Sequence, residues 1–167
     1  MGAVLACTPA FQGQNLPALH AVALDGSTVQ IPLPDARKPV LLMLGFAHKA
    51  DKQFDLWKQH GFSKYLADKR IDCLELVDMH GVPGFAVSMA RHGMRKEIHG
   101  DEQGHFVPFE SDDTEWKKLV GYAAAEDAYL VLAEANGHVI WQTHGVPNDA
   151  KASELQKALA HLGVMAN

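Results

Sequence analysis

Cysteine is scarce in this chain. Cys7 and Cys73 are the only two in 167 residues, which excludes a CxxC pair, a four-cysteine zinc site and a disulfide-dense framework. Long apolar runs are missing as well. No stretch of about 18 apolar residues occurs, so no segment reads as a membrane-spanning helix. Cations are outnumbered: 15 Lys and Arg stand against 20 Asp and Glu, for a net charge of −5. No long segment is dominated by basic residues, so the sequence offers no cationic face for nucleic-acid phosphates. The glycines are isolated and form neither a GxGxxG nor a GxxxxGK loop, and no GxSxG elbow supports hydrolase chemistry. What remains is an ordinary globular composition, 47% apolar, with length for one full core.

Residues 1–15 lack periodicity and read as a flexible tail before one domain at 16–167. Within the tail, Val4-Leu5-Ala6-Cys7 resembles the end of a bacterial lipoprotein signal without its charged n-region. Residues 18–33 form two alternating runs around Asp25-Gly26, a hairpin signal. Residues 40–46 (VLLMLGF) are continuously apolar, as in a strand covered by helices on both faces. The segment 51–66 carries Phe54, Trp57, Gly61 and Tyr65 at helical spacing. Residues 71–77 (IDCLELV) make a second buried strand, in which Cys73 reads as an inert core thiol.

A helix is expected after Pro83, with Phe85, Met89, Ala90 and Met94 on its apolar side. A short strand is expected at 105–109, then a helix opened by a capping box of Asp112 and Glu115. Asn136-Gly137 predicts a second hairpin between 129–132 and 139–141. The last helix starts near Asn148 or Asp149 and turns Leu155, Leu159 and Leu162 inward.

This order of elements places 40–46 and 71–77 as parallel neighbours through a right-handed crossover, with the later hairpin added to the same sheet. It predicts an α/β fold of the thioredoxin-like kind: three α/β/α layers, a central mixed sheet and an N-terminal β-hairpin. Residues 40–46 should be central, between 71–77 and 129–134. Three segments resemble the redoxin branch of that superfamily: LPALHAVALDGSTVQIPL, KPVLLMLGFA and YLVLAEANGHVIWQTHG. The resemblance spans residues 16–162. Within the branch, the chain is similar to the assembly factors acting on subunit a of mitochondrial ATP synthase and their bacterial relatives. The features carrying that likeness are Phe46, the lost dithiol, Trp57, the Arg-Lys helix at 91–96 and Val139-Ile140-Trp141.

Where redox members of the superfamily carry Cys-x-x-Cys, this chain reads Ala50-Asp51-Lys52-Gln53, which offers no thiolate to attack a disulfide. The cis-proline that the resemblance places near Ala128 is absent, since no proline lies between Pro108 and Pro147. Ligands of open α/β sheets bind beyond the carboxyl ends of the strands. Three strands end there in histidine: His48, His80 and His144. These are candidate ligands for a divalent metal, although histidine is also ordinary at such turns. Lys49 and Asp51 flank the lost dithiol, and Arg91 and Arg95 present cations to an acidic partner or lipid headgroups.

Three functions follow as expectations. The first is a non-catalytic protein-binding or assembly module in the cell envelope, lipid-anchored, with a protein partner and no cofactor. The second is a metal protein using the strand-end histidines. The third is a redox enzyme with relocated chemistry.

Overall fold

The computed structural model describes residues 13–32 and 37–164. Cys7, the signal-like stretch around it and most of the expected tail lie outside these residues. Leu19–Val22 (β1) and Thr28–Ile31 (β2) pair antiparallel, with Leu19 opposite Ile31. Their turn is fixed by Asp25, whose Oδ1 accepts from the Ser27 amide at 2.8 Å and the Ser27 hydroxyl at 2.6 Å. Gly26 supplies the φ of 92° that a side chain there would resist.

The main sheet has five strands in the order β5-β4-β3-β6-β7. Val40–Gly45 (β3) is central, parallel to Asp72–Asp78 (β4) and antiparallel to Ala128–Ala133 (β6). Phe106–Phe109 (β5) runs parallel to β4, and Val139–His144 (β7) antiparallel to β6. All six residues of β3 are buried, as the unbroken apolar run requires of a strand covered on both faces. Its side chains alternate between two cores. Leu41 and Met43 meet Phe54, Trp57, Phe62, Leu155 and Leu159 on one face. Leu42 and Leu44 meet Trp116, Leu119 and the hairpin residues Leu19 and Ile31 on the other.

The helix expected at 51–66 is broken in the middle. Asp51–Trp57 (α1) passes into a π turn at Lys58–Phe62 before Ser63–Leu66 (α2), because Gly61 sits at φ 114°. Gly84–Glu97 (α3) lies where expected, but with a different inward face. Val87 is buried and Ala90 and Met94 pack on the core, whereas Phe85 and Met89 point outward. Thr114–Val120 (α4) is not opened by a reciprocal capping box. Asp112 Oδ1 instead accepts from the Thr114 amide (2.9 Å) and hydroxyl (2.6 Å), forming an Asx turn without Glu115. Asp149–His161 (α5) is capped by Asn148, whose Oδ1 accepts from the Lys151 amide.

Candidate functional site at the strand-end edge

Burial forces α1 to start directly under the edge of the sheet. Ala50, at its N-cap, is 1% exposed and touches no solvent-facing chemistry. One turn later Gln53 uses both ends of its amide. Its Nε2 donates to Asp127 Oδ1 at 3.1 Å, and its Oε1 accepts from the Ala128 amide at 2.9 Å. Residues 50 and 53 are therefore a packed methyl group and a hydrogen-bonded clamp.

Asp127 closes the loop that enters β6. Tyr129 holds that loop: its hydroxyl accepts from the Ala123 and Ala124 amides at 2.8 and 2.9 Å and donates to the Ala124 carbonyl. Asp127 Oδ2 then meets His144 Nδ1 at 2.7 Å. Burial works to raise the Asp127 carboxyl, but bonds from His144 and Gln53 outweigh it and hold it below the usual carboxylate range. Lys151 Nζ donates to the His144 and Val146 carbonyls, and Trp57 Nε1 donates to the Gly145 carbonyl at 2.8 Å. The His144-Gly145-Val146 turn is thus fixed from three sides.

Aromatic rings continue the edge. His144 stacks on Tyr129 at 5.5 Å, Tyr129 meets Phe46 edge-on at 5.5 Å, and Phe46 meets Tyr122 at 5.4 Å. Lys117 Nζ lies 5.1 Å from the Tyr122 ring centre and 2.5 Å from Asp113 Oδ2. Beyond it Asp78 ends β4 and accepts from the His80 amide at 2.8 Å.

The strand-end histidines do not gather. His48 Nδ1, in the short turn before α1, pairs with Oδ2 of Asp51, the first residue of α1, at 2.5 Å, and His144 pairs with Asp127. Burial raises the Asp51 carboxyl, and His48 offsets part of that. His80 lies near Asp112 and Asp113, with one ligand atom from each within 4.8 Å of the others. Two of that trio already have partners, Thr114 for Asp112 and Lys117 for Asp113. Lys49 is exposed. Arg91 and Arg95 are tied to backbone: Arg91 Nη1 and Nη2 donate to the Val22 and Pro108 carbonyls, and Arg95 Nε to Leu24. Asp127 and Gln53 escape a reading of the sequence as partners, being 74 residues apart.

Burial, foremost, and the neighbouring Asp113 raise the Asp78 carboxyl to about 6, against the His80 amide and Lys117. A folded-state value above the ordinary 3.8 means that the folded protein binds this proton more tightly than the unfolded chain. Stability therefore falls as pH rises from 4 through 6. Asp78→Asn keeps the acceptor for His80 and removes the charge. After discounting for partial exposure, the variant should be about 1–2 kcal/mol more stable at pH 7. It should match the parent near pH 4 in urea titrations.

Searches of solved structures place this chain beside thioredoxin-like proteins. The pneumococcal exposed lipoprotein thioredoxin of Streptococcus pneumoniae strain TIGR4 superposes with a TM-score of 0.58 at 13% identity, covering 84% of this chain and 99% of its own. A Chlorobium tepidum protein assigned as the thiol:disulfide interchange protein DsbE gives 0.57 at 18%, covering 90% and 97%. A Bacteroides thetaiotaomicron protein assigned as a disulfide isomerase gives 0.57 at 15%, covering 90% and 89%. The sequence matches no protein-family model and no curated protein. At these identities the likeness defines the fold, which is thioredoxin-like, with the N-terminal hairpin and mixed five-strand sheet expected from the order of elements.

Proposed function

We propose that this chain is a non-catalytic member of the redoxin branch that binds polypeptide segments at the strand-end edge, as an assembly or chaperone factor. The observation that carries this reading is Gln53. Its amide is spent on Asp127 and Ala128, where an exchanging sulfur would have to stand. Cys73 is no substitute, because it is 1% exposed within β4. Burial and then the nearby carboxylates push its thiol well above the ordinary range, so the attacking thiolate is not populated. The edge itself offers apolar surface to an extended chain: Tyr122, packed on Phe46, and Val146 after His144 stand 39% and 54% exposed there. A cell-envelope setting is supported by the lipoprotein thioredoxin and the DsbE-assigned protein among the structural neighbours. Among the described residues no helix is long and apolar enough to cross a membrane.

Reduced, carboxymethylated α-lactalbumin serves as a non-native polypeptide probe in fluorescence anisotropy. The parent should bind it, and Val146→Asp should weaken binding about tenfold, a loss of about 1.4 kcal/mol. Insulin reduction and peroxide consumption should stay at background, unchanged by Cys73→Ser. Turnover that vanishes with Cys73→Ser, or no binding of the probe, would overturn the proposal.

A further inference from the structure

Asp72 and Asp78, at the ends of β4, are half-buried, but Glu75 in its middle is only 2% exposed. Its Oε1 meets Lys58 Nζ at 3.0 Å, and its Oε2 is buried without a hydrogen-bond partner. A buried carboxylate is costly unless paired, and here the pairing falls to Lys58. The other titratable groups around Glu75 come from the segment before β5 and from β4 itself. Glu102 opposes its ionisation, His105 favours it, and the Cys73 thiol lies close enough to feel its charge. Lys64 of α2 stands over the Tyr65 ring instead, 4.9 Å from its centre. Burial raises the Glu75 carboxyl above its ordinary 4.5, with Lys58 opposing, so it takes up a proton at higher pH than an exposed glutamate.

Lys58 opens the π turn and reaches Glu75 from the surface, with 21% of its side chain exposed. Once Glu75 is neutral, the ammonium gains more from water than from an uncharged carboxyl. The turn it starts is a ready hinge, because Gly61 sits at φ 114° and π geometry interrupts the α-helical ladder. Residues 57–60 are tied to other elements at three points. Trp57 Nε1 donates to the Gly145 carbonyl at 2.8 Å, Lys58 pairs with Glu75, and His60 Nε2 lies 3.4 Å from Asp149 Oδ1. Two of these ties hold the 145–149 connection that presents Val146. We infer that Glu75 is a proton-binding site that controls the strand-end edge. Protonation at Oε2 releases Lys58 to water, frees the π turn and loosens the 145–149 connection, which weakens polypeptide binding. This rests on the reading of the edge as a polypeptide-binding surface and adds its regulation. The release is not unfolding. The folded chain binds this proton more tightly than the unfolded one, so the stability Glu75 contributes is full below 4.5 and falls as pH rises.

Glu75→Gln keeps the shape of the side chain and imposes its neutral form at pH 7. In 13C and 15N spectra of this variant, Lys58 Cε should move toward the position of a solvated lysine. The amides of residues 57–62 and 145–149 should shift with it. The parent should show the same shifts as pH falls and the Glu75 carboxyl carbon titrates, a measurement that needs no variant. Reduced, carboxymethylated α-lactalbumin should bind Glu75→Gln about threefold more weakly than the parent at pH 7. Lys58→Arg, which keeps the cation, should bind it as the parent does. A Glu75 titration that leaves 57–60 and 145–149 unshifted would overturn the inference. Probe binding by the parent that Glu75→Gln leaves unchanged would overturn it alone, whereas no binding by the parent would overturn the polypeptide-binding reading and this inference with it.

Discussion

Lys58→Ala should be about 3–5 kcal/mol less stable than the parent at pH 7. Lys58 Nζ lies 3.0 Å from Glu75 Oε1, and the Glu75 side chain is only 2% exposed, in the middle of β4. Its other oxygen, Oε2, is buried without a hydrogen-bond partner. Removing the ammonium leaves an uncompensated carboxylate in the core. Burial already raises the Glu75 carboxyl above its ordinary 4.5, with Lys58 opposing, and losing Lys58 raises it further. The folded state then holds the proton more tightly than the unfolded chain, so stability is lost as pH rises above the ordinary value. Urea titrations should show the deficit shrinking steadily as pH falls from 7 through the ordinary 4.5, well below which Glu75 is neutral in both states. Glu75→Gln added to Lys58→Ala should recover most of the loss at pH 7. A deficit independent of pH would show that Lys58 acts through its packed methylenes and not its charge.

Gln53→Ala should cost about 2–4 kcal/mol, because it removes two hydrogen bonds and strands the buried Ala128 amide. The same change frees Asp127 from one of the bonds that hold it below the usual carboxylate range. The pH dependence of stability assigned to Asp127 should therefore shrink. The parent's contribution is present above the ordinary 3.8 and lost as pH falls below it, and the variant should lose less there. Gln53→Glu makes a useful contrast. It keeps an acceptor for Ala128 but sets a second carboxylate against Asp127, so it should be at least as unstable at pH 7 and partly recover in acid.

Much of the fold was legible because single strands carry unambiguous patterns. The run at 40–46 could only be covered on both faces, and Asn136-Gly137 fixed a hairpin whose strands are β6 and β7. Gly61 was visible as a helical glycine, but its positive φ, and with it the π turn, was not. Helix α3 was misjudged for a definable reason. Its sequence holds two apolar stripes, Phe85 with Met89 and Val87 with Ala90 and Met94, and periodicity alone does not say which faces the sheet. Glu75 hid inside an apolar run for the same kind of reason: its partner lies on another element, 17 residues away. The strand-end histidines were placed correctly along the chain, but their partners come from loops and helix starts that the spacing of histidines does not encode.

The guanidinium ties of α3 have a consequence for motion. Arg91 and Arg95 donate to Val22, Leu24 and Pro108, and the Leu24 amide in turn bonds to the Phe106 and Gln103 carbonyls. The N-terminal hairpin hangs from α3 and the β5 edge by these bonds, outside the five-stranded ladder. It cannot lift away without releasing the guanidinium groups. Amide exchange in β1 and β2 should therefore share one opening free energy with the second half of α3, below that of β3 and β6. On this reading the hairpin, the helix and the short edge strand should open as one cooperative unit over a more slowly exchanging sheet.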